Sequence, residues 1–276
     1  MLINPSQKCG GFLFKKVWYL NKFSYICLNK LIMSQIFEVG GCVRDELLGV
    51  HTNDIDFTFV LDDVSQSVDE GWTQMLTHLK VEGFKIFLET KDCFTVRAKF
   101  PKGHKNEGLV ADFVMARKEV GVIDGTRKPI LELGTLEDDL TRRDFTLNAM
   151  AKDLDGNIID IFEGRKHLEM GLLVTPLDPA QTFLDDPLRM IRALRFSITK
   201  GFTIAPNVWS AIFINGLIDK LELVVSQERI QGEVTKMMKH DTVGTLRLLA
   251  EIDKIEPRLI EIIFKGNMWL LPTNKK

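Results

Sequence analysis

The stretch from Gly40 to Phe57 constrains the chain more than any other. It reads GGCVRDELLGVHTNDIDF: a double glycine, a short helical pattern ended by Gly49, and two aspartates one residue apart at the head of an alternating run. In DIDFTFVL (54–61), Asp54, Asp56, Thr58 and Val60 share one face of a strand, and Ile55, Phe57, Phe59 and Leu61 share the other. The two carboxylates are then about 7 Å apart along one face. Like charges so placed repel and call for a positive partner. A divalent cation fits, Mg2+ above all, because it takes oxygen ligands and shares its shell with substrate phosphates. An isolated D-x-D is more often a solvated face or a turn, so the neighbours must decide.

Three neighbours favour the metal. Gly40 and Gly41 let backbone N–H groups approach a phosphate closely just before a helix start. Arg44 lies in that first turn and adds a fixed positive charge. Downstream, LVADFVMAR (109–117) reads as a strand in which Asp112 is a lone charge, a third carboxylate for a two-metal clamp. The order of Gly-Gly turn, arginine, D-x-D strand and later carboxylate is the layout of a metal-dependent nucleotidyl transferase, in which a 3′ hydroxyl attacks the α-phosphate of a nucleoside triphosphate.

Two further clusters follow. TRRDFTLNAM (141–150) sets Arg142, Arg143 and Asp144 side by side, two cations and an acceptor suited to phosphates and a ribose hydroxyl. An exposed helix start capped by Asp144, with Phe145, Leu147 and Met150 in the core, explains the same residues equally well. FLDDPLRMIRALRF (183–196) places Pro187 at a first helical position with Asp186 as its cap. Alternatively, Asp185, Asp186 and Arg189 form an edge of acceptors and donors that imitates a base and selects the incoming triphosphate. Leu188, Ile191 and Leu194 read as core.

Around these clusters the first half alternates strand and helix: strands at 35–41, 54–61, 85–90, 93–100 and 109–117, and helices at 43–49 and 65–83. This predicts an α/β sheet domain. After about residue 140 the patterns turn helical, and LLVTPLDPAQ (172–181) reads as a linker. The expected division is a head over 35–175 and a helical module over 176–276. A net charge of -2 gives no global sign of a nucleic-acid partner. Cys9, Cys27, Cys42 and Cys93 form no CxxC pair, against a zinc site or disulfide framework and in keeping with a reducing, cytoplasmic setting. No run of 18 apolar residues predicts a membrane span. Residues 1–34 carry lysines but no Asp, Glu or Arg. They read as an amphipathic targeting leader, which would make the setting mitochondrial, as a disordered extension, or as sequence upstream of a true start at Met33.

Taken together, VGGCVRDELLGVHTNDIDF, TRRDFTLNAMAKD, IIDIFEG, FLDDPLRMIRALRF and SQERIQGE occur in the order found in the class II tRNA nucleotidyltransferases, the CCA-adding enzymes, which the chain resembles over about residues 36–265. These are similar to the bacterial poly(A) polymerases. The resemblance implies a fold of class α/β + α, a head of the DNA polymerase beta nucleotidyltransferase type followed by a helical neck. It implies addition of C, C and A to the tRNA 3′ end from CTP and ATP, without a template, with Mg2+ in a two-metal site. By position, Asp54, Asp56 and Asp112 become catalytic metal ligands. Gly40, Gly41, Arg44 and Arg142 fall at the triphosphate, Arg143 and Asp144 at the ribose, and Asp186 and Arg189 at the base. Arg192, in the same helix, joins the nucleotide-binding set, and Glu228 and Arg229 brace neck helices. Asp185 departs from the Glu usual at its position. The family continues past the neck into body and tail domains that grip tRNA, whereas this chain ends at Lys276, so a partner or second copy is expected to supply those contacts. Two alternatives remain: an enzyme adding part of the triplet or A alone, and a non-catalytic remnant that binds nucleotide or RNA.

Overall fold

The computed structural model describes residues 35–122 and 129–265; the expected leader over 1–34 lies outside them. The strand face carrying Ile55, Phe57 and Phe59 is the organising surface. Strand β2 (Ile55–Val60) buries these residues, and β5 (Val110–Met115) runs parallel to it with Phe57 opposite Phe113. Their rings stack with centroids 4.9 Å apart, which holds the register through side-chain packing. Helix α2 (Val68–Val81) covers this face with Trp72, Met75 and Leu79. Its start is fixed by a reciprocal capping box between Ser67 and Glu70.

Among the described residues β2 and β5 lie inside a seven-stranded sheet. On the β5 side it continues through β4 (Thr95–Lys99) to β3 (Lys85–Thr90), and on the β2 side through β1 (Gln35–Val39) and β8 (Met150–Lys152) to β9 (Ile158–Asp160). Within this sheet the β2–β5 pair is parallel and the other described pairings are antiparallel. Helix α1 (Gly41–Leu47) leaves β1 at the Gly40–Gly41 turn. Lys152 of β8 ties it down by pairing with Glu38 of β1 at 2.7 Å and with Glu46 of α1.

The opposite face is covered by α3 (Leu136–Thr141), whose Leu140 packs with Phe37, Val39 and Ala151. A hairpin, β6 (Arg117–Val122) and β7 (Pro129–Leu133), forms a separate two-stranded sheet that the sequence does not announce. Pro129 supplies no backbone donor and the register shifts between Glu119 and Gly121, so the period-two signal is broken.

Beyond the sheet come α4 (Gly164–Glu169), β10 (Leu172–Leu173), α5 (Pro179–Asp185) and α6 (Leu188–Lys200), then β11 (Thr203–Ile204), α7 (Pro206–Ile212), α8 (Asn215–Val224), α9 (Gln227–His240), α10 (Thr242–Ile255) and α11 (Pro257–Ile263). The expected linker contributes β10, which pairs in parallel with β11, and the Asp178 cap of α5. The core of these helices is continuous with Cys42 and Val43 of α1 and with Phe145, Leu147 and Met150. No helix among the described residues is long and apolar enough to cross a membrane.

The first residue of α4 sits against the loop that follows α3. A Cβ on Gly164 would lie 2.3 Å from the Thr146 carbonyl oxygen. Gly164→Ala is therefore expected to destabilise the protein by about 1–3 kcal/mol, read as a lower urea midpoint with an unchanged slope.

Candidate nucleotidyl-transfer site

The site is assembled by strand order. Asp56 and Asp112 are direct partners across β2 and β5, and Arg97 is the partner of Asp112 across β4 and β5. Adjacent strands lie about 4.8 Å apart, so the three side chains form a row on one face, with Asp54 just ahead of β2. Asp56 feels this crowding. Burial first, then the charges of Asp54 and Asp112, push its carboxyl up to about 6, against the opposing pull of Arg143 and Arg97. Asp112 is held differently: Arg97 grips it with both prongs, Nε to Oδ1 and Nη2 to Oδ2, each at 2.6 Å. Among the described residues no three Asp, Glu, His or Cys side chains gather closely enough to hold a metal ion by themselves.

Behind this row lies a buried carboxylate that sequence reading missed. Asp139 of α3 is fully buried and accepts from Arg142, from Arg143 Nη2 at 2.9 Å and from Thr58 Oγ1 at 2.8 Å. Burial favours its neutral form, but the charges and hydrogen bonds of Arg143 and Arg142 outweigh it and bring the carboxyl down to about 2. The signal was present in LEDDLTRRD: Asp139 stands three and four residues before the arginines, the spacing at which helix side chains meet.

Arg143 is thereby aimed at the glycine turn. Gly40 has φ of +79°, and a Cβ there would lie 2.7 Å from Arg143 Nη1. Only glycine combines this backbone with that contact. Gly41 opens α1 with Arg44 beneath it. Arg44 is turned inward: it is 7% exposed, donates to Asn148 Oδ1 at 2.6 Å and to Asp45, and lies over the Phe196 ring. It braces the turn from below. Asn148, another residue that sequence reading passed over, completes a link by donating to Asp144 at 2.9 Å.

Asp144 is also buried. It accepts from the Phe145 N–H, from Asn148 and, through Oδ2, from Arg192 at 2.6 and 2.9 Å. Burial opposes its charge, but Arg192 and Asn148 more than compensate and lower its pKa. Arg142 and Arg189 meet as well, since Arg189 donates to the Arg142 carbonyl oxygen and, at 3.2 Å, to that of Thr182. Asp186 ends α5 and accepts from the Leu188 N–H at 3.1 Å, one residue ahead of the Pro187 cap of α6, while its other oxygen faces Arg229 at 3.5 Å. Asp185 is exposed and accepts from Gln181. The structure thus brings Asp54, Asp56, Asp112, Arg143 and Gly40 to one locality and joins Arg142, Arg189 and Asp186 beside it, while buried Arg44 and Asp144 and half-buried Arg192 form a chain underneath.

A sheet of this order bearing a carboxylate row, beside a glycine turn and followed by helices, defines a nucleotidyltransferase head and neck. Residues 36–174 match the model of the poly A polymerase head domain, and the chain belongs to that family. It is 36% identical over 238 residues to the tRNA nucleotidyltransferase cca2 of Schizosaccharomyces pombe, covering 82% of this chain and 48% of that protein. It is 33% identical to the multifunctional CCA protein of Neisseria gonorrhoeae, covering 83% of this chain and 50% of that protein. The chain thus spans about half the length of these curated relatives. A solved structure, the Bacillus stearothermophilus CCA-adding enzyme in complex with CTP, superposes with a TM-score of 0.62 at 30% identity, over 80% of this chain and 49% of that one.

Two predictions follow from the charges. The Asp56 carboxyl titrates higher in the folded protein than in the unfolded chain, so its contribution to stability is full below about pH 4 and is lost as pH rises through about 6. Asp56→Asn should therefore raise the thermal midpoint of the cation-free protein at pH 7, with the difference vanishing near pH 4. Asp139 is the reverse case: its contribution is present above about pH 4 and is lost as pH falls towards 2. Asp139→Asn should cost on the order of 3 kcal/mol at pH 7 and flatten the acid limb of the stability curve, both read by urea unfolding at stepped pH.

Proposed function

We propose that this chain carries the catalytic head of a template-independent tRNA nucleotidyltransferase that adds C, C and A to the tRNA 3′ end from CTP and ATP. The observation that carries the reading is the row Asp56–Asp112 on adjoining strands, with Asp54 ahead of it, facing a glycine turn on which Arg143 leans. The family and its relatives supply the substrate class.

The donor chemistry suits a hard divalent cation, which would have to draw together carboxylates that do not close around one point by themselves. The donors are carboxylate oxygens, and the Asp56 carboxyl, pushed up to about 6, is a charge in want of a partner. Asp54 and Asp56 would hold Mg2+, with Asp112 as the third ligand. The bound metal would polarise the triphosphate and lower the pKa of the attacking hydroxyl. The protein's own groups do the positioning. The Gly40–Gly41 turn gives the triphosphate a surface without side chains, and Arg143 sets a fixed cation against it. Arg142 and Arg189 add charge and donors at the adjoining edge. The carboxylate of Asp186 and the guanidinium of Arg189 present the acceptor and donor pair that selects a base. Asp144 and Arg44, being buried, fix the floor on which a ribose would rest.

The test is incorporation into tRNA lacking its terminal CCA, with CTP alone, ATP alone and both together. Two C residues from CTP alone and the full triplet with both are expected, and chelation of divalent metal should abolish both. Long A tails from ATP with no use of CTP would favour the A-adding alternative, which the poly A polymerase description keeps in view. No incorporation under any condition, with nucleotide binding retained, would identify a non-catalytic remnant.

A further inference from the structure

Asp112 faces two competing demands. In the reading above it is the third ligand of a cation, yet both of its oxygens are taken by the planar fork of Arg97 at 2.6 Å. The pair is set by register: Arg97 on β4 and Asp56 on β2 flank Asp112 from opposite sides. Across the sheet the charges therefore run positive, negative, negative, and the guanidinium occupies both of the oxygens that Asp112 would offer a cation. Arg97 is not locked in place. Its side chain is 47% exposed, and beside it opens a cleft of about 260 Å³ bounded by Leu88, Thr90, Cys93 and Thr95, into which a released guanidinium can swing. A bidentate arginine is also a demanding partner, because a compact ammonium cannot reproduce both bonds.

We propose that Arg97 is a positioning residue that acts as a built-in competitor for the cation: it holds Asp112 in place while the site is empty, and must release it before the third carboxylate can ligate a metal. The proposal rests on the assignment of Asp54, Asp56 and Asp112 as cation ligands. Its consequence is unusual for an arginine beside an acidic cluster whose ordinary effect is repulsion of cations at long range. The effect of Arg97 should pass through Asp112 and vanish when that carboxylate is removed.

The experiment is Mn2+ binding to the purified chain without nucleotide, counted by the electron paramagnetic resonance signal of free Mn2+. Arg97→Met should tighten binding by about three- to tenfold. In a double-mutant cycle the gain should disappear in the Asp112→Asn background. Arg97→Lys, which keeps the charge without the fork, should fall between the parent and Arg97→Met, and it decides the matter if Arg97→Met does not fold. Unchanged or weaker Mn2+ binding in the folded arginine variants, with binding lost in Asp56→Asn, would overturn the competitor and leave the carboxylate assignment standing. A gain that persists without Asp112 would reduce Arg97 to a general repulsive charge and overturn it too. Mn2+ binding undiminished in Asp56→Asn would remove the carboxylate assignment, and the competitor with it.

Discussion

The architecture of the site depends on one carboxylate that never meets solvent. Asp139 joins α3 to β2 through Thr58 and neutralises Arg142 and Arg143 from behind. Without it, two guanidiniums would crowd together beside β2 without the carboxylate that pairs with both. With it, Arg143 is oriented as well as neutralised: its Nη1 lies against Gly40, just past the end of β1, where the chain has no side chain. A fixed cation beside a bare backbone turn suits a polyanionic ligand because little must reorganise when charge arrives. Such a buried ion cluster is weak evidence of stability and better evidence of placement.

A second chain of contacts links this turn to the helices. From Arg44 it runs through Asn148 to Asp144 and on to Arg192 of α6. Phe196 lies one turn on, with Arg44, Arg192 and Arg195 around its ring, Arg195 at 4.2 Å. Arg195 then pairs with Glu233 of α9, near the buried centre of the helical module. Together with the shared apolar core, this makes α1 and the 145–150 segment common property of sheet and helices. The division of the chain at residue 175 that its composition suggests is best kept as a proposal about chain order, since the packing on either side of it is continuous.

Local patterns were legible in the sequence and distant pairings were not. The period-two alternation of residues 54–61 placed Asp54 and Asp56 on the face opposite the phenylalanines, because a half-buried strand writes its orientation in its own residues. Helix α2 could be read from its pattern over 65–83, while its Ser67–Glu70 capping box, also local in sequence, went unread. The Pro187 helix start was visible in the same way, but Pro187 itself holds the cap position, with Asp186 ending α5 and accepting from the Leu188 N–H. Arg97 was passed over because its meaning depends on β4 lying beside β5, a fact of strand order that no single segment contains. Asp139 was hidden among neighbouring acids in LEDD, since only the docking of α3 onto β2 shows which of them is buried. The β6–β7 hairpin escaped for a local reason, a proline and an irregular register that erase alternation.

Asp186 shows how tightly recognition and folding are joined here. One of its oxygens accepts from the Leu188 N–H at the start of α6, and the other faces Arg229 from the neck. The carboxylate proposed to read a base thus also ties the step between α5 and α6, the helix that carries its partner Arg189. On that proposal, a mutation at 186 would change the frame and the reader at once, and drift towards a different nucleotide preference would have little room at this position. On the same proposal, preference would be retuned more freely through Arg229, whose contact sets how the Asp186 carboxylate is presented. A protein built this way would hold its alphabet more firmly than its pace.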